Sequence, residues 1–146
     1  MNATIEKFGY PATLLSEYEH WVVLLRPQQA TMGALVLAAR DTAEAFGDLP
    51  VAATTELSRV TRDVESTLAQ LFAYDKINYL MLMMVDPHVH FHVLPRYCTA
   101  RSYRACDFPD PGWPGPPRLD QHAAPDATTF DALRLDLLEA WPEVGR

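Results

Sequence analysis

Unbroken runs of apolar residues in the first third of the chain predict the first strands of a sheet. One run fills the end of the segment 18–25, and a second covers 34–39. Short continuous runs of β-branched, aromatic and aliphatic residues are typical of strands buried on both faces. Pro27 ends the first run because proline cannot donate to a sheet ladder. Since a turn near Gly33 precedes the second run, the two strands are expected to pair as a hairpin.

Apolar residues at steps of three and four predict one long helix in the middle of the chain. These residues are Leu57, Val60, Val64, Leu68 and Leu71. Most charged side chains of the segment lie off this stripe, so the pattern indicates an amphipathic helix of about five or six turns. Pro50 is expected in its first turn, where a missing N–H costs nothing.

The pattern changes to strict alternation in the segment 88–94. A continuous apolar run over 77–85 and the turn Asp86-Pro87 precede it, and then histidines alternate with apolar residues. Side chains two apart on a strand share a face. We therefore expect two antiparallel strands joined by a two-residue turn. The three histidines should project together from one face into an open groove.

The last third of the chain divides into a proline-rich segment and a helix. The region from Tyr97 to about residue 128 is expected to be extended and irregular, with Trp113 attaching it to the body or to a partner subunit. Thr128-x-x-Asp131 resembles a capping box that begins the final helix. Its apolar face is formed by Phe130, Leu133, Leu137, Leu138 and Trp141.

The predicted architecture is α+β: an antiparallel sheet of about five strands, with one long helix packed on it and a C-terminal helix. A chain of 146 residues has the size of one domain. We interpret residues 1–146 as a single domain whose core spans about 18–97, followed by an extended segment and helix over 98–146. The apolar fraction of 49% excludes a disordered chain.

Charge and composition narrow the class of partner. The net charge is -7, and Lys7 and Lys76 are the only lysines, which argues against nucleic acids and anionic membranes as partners. Two cysteines are too few for a disulfide framework. No secretory signal is visible and the longest apolar stretch is too short to span a bilayer, so a cytoplasmic location is expected.

The three clustered histidines, His88, His90 and His92, are the feature that composition does not predict. One interpretation is a metal site, since imidazole is a common zinc ligand. However, the outer two Cα atoms of such a line lie about 13 Å apart, and nearby carboxylates are few. The other interpretation is a site that binds an extended phosphate-containing anion and reacts with it. The central neutral imidazole would attack phosphorus, and the flanking rings would donate to the phosphate oxygens.

The segment His88-Val89-His90-Phe91-His92-Val93-Leu94 resembles the motif of the histidine-triad (HIT) family, in which histidines alternate with apolar residues. The resemblance covers roughly residues 18–97. It implies an enzyme, a nucleotide hydrolase or nucleotidyl transferase for phosphoanhydride or phosphoramidate bonds, including those of dinucleoside polyphosphates. It also implies a homodimer without a cofactor or a metal. His90 would be the transiently nucleotidylated nucleophile, and His88 and His92 would bind and polarise the phosphate.

Three positions depart from the pattern of the family. Many members have a fourth histidine where this chain has Ala34, and many have a longer polar loop where it has Asp86-Pro87. A ribose-binding Asn or Asp often lies near the end of the first strand, where this chain has Leu25 and Arg26. The missing fourth histidine and the short loop favour one alternative, a non-catalytic nucleotide-binding protein. The other alternative is a metal-dependent enzyme that uses the three histidines as ligands.

Two arginines are candidates for substrate binding. Arg26 and Arg96 flank the predicted strands, and arginine suits bidentate contact with phosphate. A surface ion pair is the competing interpretation for each. For the predicted homodimer, the candidate contacts are Trp113, Trp141 and the apolar face of the last helix.

Overall fold

A five-stranded antiparallel sheet forms the centre of the computed structural model, which describes residues 1–143. The order of its strands is β1-β2-β3-β5-β4. These strands are β1 (Leu14–Glu17), β2 (Trp21–Leu25), β3 (Leu35–Ala39), β4 (Lys76–Leu80) and β5 (His90–Arg96). The helices are α1 (Ala3–Lys7), α2 (Val51–Phe72) and α3 (Ala127–Ala140), and a small hairpin consists of β6 (Arg101–Tyr103) and β7 (Cys106–Phe108). The predicted α+β fold is confirmed.

The predicted β2–β3 hairpin and the long helix form the larger core. All residues of β2 and β3 are buried, and their pairing aligns Trp21 with Ala39 and Leu25 with Leu35. The apolar stripe of α2 packs on one face of the sheet, where Val60, Val64 and Leu68 are fully buried. Pro50 is the N-cap of α2, so it lies one position before the first turn.

A smaller apolar cluster lies on the opposite face of the sheet, beneath α1. The side chains from the sheet are Val22, Leu24, Val36 and Ala38. Ile5 of α1 is fully buried against them, and Phe8, which follows α1, packs at the edge of the same cluster. The Asn2 side chain caps α1 by accepting from the Ile5 N–H at 3.0 Å. This short helix therefore covers the face that carries the histidines.

The predicted two-residue turn before the histidine strand is wrong. Strand β4 ends at Leu80, which pairs with His92, and β5 begins only at His90. Residues 81–89 form an irregular loop instead, although the apolar run of the sequence continues through residues 81–85. Met84 and Val85 are more than four-fifths exposed in this loop, because neither strand nor helix packs over them. As a consequence His88 precedes the strand that carries His90 and His92.

The proline-rich segment contains more structure than its sequence predicts. Residues 101–108 form the β6–β7 hairpin, and Phe108 is 1% exposed in the larger core. The N-cap of α3 is Asp126, whose carboxylate accepts from the Thr129 N–H, so the capping box expected at Thr128 is two residues late. Trp113 is half-buried.

The C-terminal helix packs inward. Leu133 and Leu137 are fully buried, and Trp141 donates from its indole N–H to the Tyr18 hydroxyl at 2.9 Å. Trp141 therefore contributes to the core of its own chain, which removes it as a contact between subunits. Among the described residues, no helix combines the length and apolarity needed to cross a bilayer.

Candidate functional site

Strand β5 places two of the three histidines side by side on the face beneath α1. His90 is opposite Ala38 and His92 is opposite Val36, and both of these partners belong to the small apolar cluster. The ring centroids of the two histidines are 5.1 Å apart in an edge-to-face arrangement. Because successive side chains of a strand alternate, Phe91 between them points toward α2 and the larger core.

The His90 ring is held in one tautomer by its own backbone. Its Nδ1 lies 2.7 Å from the carbonyl oxygen of His88, and because a carbonyl can only accept, Nδ1 carries the proton. In the neutral ring the lone pair is then on Nε2. This atom is buried and has no hydrogen-bond partner within residues 1–143. A fixed imidazole with a free Nε2 lone pair is the arrangement that nucleophilic attack requires.

His88 is held by the N-terminal helix. The Thr4 hydroxyl accepts from the His88 backbone N–H at 3.3 Å and lies 3.0 Å from its Nδ1. A hydroxyl can both donate and accept, so this contact suits either tautomer of His88; in the tautomer whose Nδ1 accepts from Thr4, the neutral ring has an Nε2–H to donate. The structure therefore keeps His88 next to the pair, but through a loop and a contact with α1 rather than through the strand.

The predicted open groove is covered by Phe8. Its ring centroid is 5.8 Å from that of His90 and 5.8 Å from that of His92. His90 is fully buried and His92 is 8% exposed. The expectation that the rings project into an open groove is therefore wrong for this conformation, because the sequence did not indicate that residues 3–8 fold back over the strand.

Burial and neighbouring positive charge suppress protonation of His92. Burial is the larger cause, and the charge of Arg26 adds to it, so that the pKa of His92 falls to about 4. The neighbouring His90 also lowers the pKa of His92, by a smaller amount than Arg26 does. His92 is consequently neutral at pH 7 and has one N–H to donate. Its Nδ1 is buried and has no partner among the residues described.

Arg26 lies at a cavity beside Phe8. The cavity has a volume of about 260 Å³ and is lined by Lys7, Phe8, Arg26, Pro27 and Gln28. Arg26 is only 9% exposed, and burial lowers the pKa of its guanidinium. The Nη1 group donates to the Gln28 carbonyl at 2.8 Å, whereas Nε has no partner in the described part of the chain.

Arg96 is occupied by contacts within the protein. Its Nε and Nη2 donate to the two carboxylate oxygens of Asp110 at 2.8 and 3.0 Å, and Nη1 donates to Asn78 at 2.8 Å. Both members of this ion pair are almost fully buried. Arg96 follows His92 by four residues, about 13 Å along the strand. The structure therefore does not bring Arg96 to the histidines, and its predicted contact with substrate stays a prediction.

Several residues at the site were not predicted from the sequence. Thr4 lies in α1 and Phe8 directly follows it, and this helix of five residues is too short to give a periodic pattern. The one local signal was Asn2, which is a typical N-cap residue. Gln29 is buried in the β2–β3 connection, and no spacing rule identifies it. Within residues 1–143 no group of three or more His, Cys, Asp or Glu side chains is arranged to hold a metal ion.

Comparison with known proteins places these features in a family. A model of the HIT domain matches residues 8–99, which is more than half of the chain and includes all three histidines. The chain belongs to the HIT family. This membership supports, in general terms, a nucleotide-binding or nucleotide-hydrolysing protein. No curated protein matches this HIT protein.

Solved structures of histidine triad proteins share the fold of this HIT protein. One from Sinorhizobium meliloti is 20% identical, with 96% of this chain and 95% of that chain covered and a TM-score of 0.74. One from Marinobacter aquaeolei is 24% identical, with 94% and 96% covered and a TM-score of 0.71. One from Bradyrhizobium japonicum is 19% identical, with 97% of each chain covered and a TM-score of 0.70.

Proposed function

We propose that this protein is an enzyme, a nucleotide hydrolase or nucleotidyl transferase that cleaves phosphoanhydride or phosphoramidate bonds through a covalent nucleotidyl-His90. Dinucleoside polyphosphates are the proposed type of substrate. The observation that carries the proposal is the His90 tautomer: the His88 carbonyl holds the proton on Nδ1, and the Nε2 lone pair has no partner within residues 1–143.

The proposed reaction has two displacements at phosphorus. The Nε2 lone pair of His90 forms an N–P bond while the bond to the leaving group breaks, and the leaving group takes the electron pair. Water then attacks phosphorus, the N–P bond breaks, and Nε2 recovers its lone pair. The N–H groups of His88 and His92 would donate to the phosphate oxygens, on which charge accumulates. An acceptor nucleophile in place of water would make the protein a transferase.

Access to Nε2 requires Phe8 to move. His90 is fully buried, and the Phe8 ring packs against both His90 and His92. A substrate that reaches the histidines must therefore displace this ring, alone or together with α1. The Lys7–Asp86 ion pair, which joins the end of α1 to the loop before β5, would restrain such a movement.

The burial of His90 also favours a second candidate, a nucleotide-binding protein without turnover. In such a protein a nucleotide would occupy the cavity at Arg26 while Phe8 remained over the histidines. The position of the fourth histidine of many HIT proteins holds Ala34, which is buried against Leu94 and contributes no polar group. This candidate predicts nucleotide binding without a covalent adduct.

We also propose a cytoplasmic homodimer. The subunit contact would form at the edge strand β4 and the loop that follows it, where Leu82, Met84 and Val85 are exposed apolar side chains. Solution mass measured by light scattering tests this assignment. A dimer that Val85→Lys converts to a monomer is expected, and a monomeric wild-type protein would contradict it.

The central experiment is the intact mass of the protein after brief incubation with dinucleoside polyphosphates and adenosine phosphoramidates. The wild type should gain the mass of one nucleotidyl group, with the adduct on His90. His90→Asn should form no adduct and lose at least 10³-fold in turnover, whereas His122→Asn, a change at an exposed histidine, should match the wild type. Full turnover by a folded His90→Asn protein would overturn the proposal.

A further inference from the structure

We infer that the cavity between α1 and the β2–β3 connection is a subsite for a phosphate group other than the one that His90 attacks. The inference rests on the proposed function and narrows its substrate class to nucleotides with a second phosphate. The feature that carries it is Arg26, a buried cation that lines the cavity and has no counterion among residues 1–143.

Buried charges in proteins are normally paired. Arg26 is 91% buried, since only 9% of its surface is exposed, and no carboxylate within residues 1–143 forms an ion pair with it. In the described part of the chain its side chain makes one hydrogen bond, to the Gln28 carbonyl, and Nε has no partner. The lowered pKa of its guanidinium has burial as its only cause, which agrees with the absence of a nearby anion. A bound phosphate would supply the missing counterion.

The loop around Arg26 is built to hold this arrangement. The buried amide of Gln29 donates to the carbonyls of Arg26 and Ala34 at 2.6 and 2.9 Å, and it accepts from the Gly33 N–H at 2.9 Å. Three hydrogen bonds from one side chain therefore fix both ends of the β2–β3 connection. Arg26 is consequently held at the cavity before any ligand arrives, which lowers the entropic cost of binding.

The cavity adjoins the histidines through Phe8. Phe8 is one of the residues that line the cavity, and its ring packs on His90 and His92. The charge of Arg26 is also close enough to oppose protonation of His92. A ligand that displaces Phe8 would therefore reach the histidines and Arg26 together. Lys7 lines the cavity as well, but Asp86 already neutralises it.

The second phosphate has two possible sources in a nucleotide. It can be a further phosphate of the chain, as in a dinucleoside polyphosphate, or a phosphate on the ribose. Both are compact anions that a guanidinium binds through paired N–H groups. This shared chemistry defines the subsite. Substrates that carry the second phosphate either in the chain or on the ribose distinguish the two sources.

The first test measures binding of inorganic phosphate at pH 7 by calorimetry. Arg26→Met should weaken binding at least tenfold, and Arg26→Lys, which keeps the charge, should weaken it less. Arg118→Met is the matched control, since Arg118 is about half exposed and paired with Asp120 on the surface. Equal phosphate affinity in wild type and a folded Arg26→Met protein would overturn the inference.

The second test compares kcat/KM for three substrates: an adenosine 5′-phosphoramidate, a diadenosine polyphosphate, and a 5′-phosphoramidate with a 3′-phosphate. Arg26→Met should lower the preference for a doubly phosphorylated substrate over the simple phosphoramidate at least tenfold. A loss confined to the polyphosphate assigns the subsite to the chain, and one confined to the 3′-phosphate assigns it to the ribose.

The two proposals fail in different ways. A His90 adduct together with an unchanged preference in Arg26→Met would overturn the subsite and leave the proposed function intact. Phosphate affinity that depends on Arg26, in a protein that forms no adduct with any substrate, would overturn the proposed enzyme and support the subsite as part of a nucleotide-binding protein.

Discussion

Arg26 and Arg96 occupy similar environments and differ in their partners. Both are at least nine-tenths buried, and each lines a cavity of the protein. Arg96 forms a bidentate pair with Asp110 and a further bond to Asn78, so its charge is neutralised inside the fold. Within residues 1–143 the Arg26 side chain donates only to the backbone carbonyl of Gln28. Burial alone therefore does not indicate the role of an arginine: the partner determines whether the charge stabilises the fold or is available to a ligand.

The difference arises from what each arginine packs against. The chain returns to Arg96 after the β6–β7 hairpin and brings Asp110, whose carboxylate also accepts from the Tyr97 N–H at 3.1 Å. Arg26 instead lines a cavity together with Lys7 at the end of α1, and the charge of Lys7 is paired with Asp86. The charge of Arg96 is therefore paired inside the fold, whereas Arg26, at the same end of the sheet, forms no ion pair within residues 1–143.

The largest expected effect comes from breaking the buried Arg96–Asp110 ion pair. Asp110→Ala leaves Arg96 buried and unpaired, and loss of one partner of a buried pair costs about 3–5 kcal/mol of unfolding free energy. Urea denaturation measures this loss. Asp120→Ala removes a carboxylate from an exposed pair and should cost less than about 1 kcal/mol. Similar small losses in both variants would contradict the structural role assigned to Arg96.

Stability is expected to depend on pH through His92, which lies close to the unpaired charge of Arg26. Its pKa is about 4 in the folded protein against an ordinary value of 6.5. Between these values the unfolded chain binds a proton that the folded protein does not, so stability is lost as the pH falls from 6.5 toward 4. The loss is up to about 3 kcal/mol, since one pKa unit corresponds to about 1.4 kcal/mol.

Urea denaturation of wild type and His92→Gln between pH 7 and pH 4.5 isolates this contribution, because the carboxylates are common to both proteins. The wild type should lose more stability than His92→Gln over this range. His122→Gln, a change at an exposed position, should follow the wild type. Parallel curves for wild type and His92→Gln would show that the pKa of His92 is not lowered.

The sequence predicted the parts of the fold that have strong local periodicity. The hairpin of β2 and β3 and the helix α2 were identified because continuous apolar runs and 3.6-residue spacing extend over many positions. Strand β1 has four residues, and β6 and β7 have three each, so none carries a readable pattern. The two-residue turn before His88 was wrong because the apolar run 81–85 lies in an exposed loop.

The sequence predicted the histidines of the candidate site, but it predicted their arrangement only in part. The alternation of histidines placed His90 and His92 on one face, as observed. The covering of that face by Phe8 depends on how residues 3–8 fold back, which is a tertiary contact over more than eighty positions of sequence. The contrast between Arg26 and Arg96 depends likewise on Asp110, whose pairing no local pattern encodes.

An intermediate effect is expected when Phe8, which covers the two histidines, is truncated. Phe8→Ala should cost about 2 kcal/mol, less than the 3–5 kcal/mol of a fully buried phenylalanine, because the ring is half-buried. It should also expose His90, so that diethyl pyrocarbonate modifies this ring several times faster. Phe46→Ala, at a phenylalanine that is 46% exposed on the other face, is the control. Unchanged modification of His90 would show that Phe8 does not limit access.

The smallest expected effect is on stability when Arg26 itself is replaced. Arg26→Met removes a buried charge that has no counterion and substitutes an apolar side chain of similar length, so the unfolding free energy should stay within about 1 kcal/mol of the wild type or rise. The pKa of His92 should rise at the same time, because one of the groups that opposes its protonation is gone. Urea denaturation and a titration of the His92 ring by NMR measure the two effects.

Arg96→Met, which leaves Asp110 buried without its partner, should be destabilised by several kcal/mol instead. Equal destabilisation by the two substitutions would mean that Arg26 has a partner that matters to the fold, and the distinction between the two arginines would be lost.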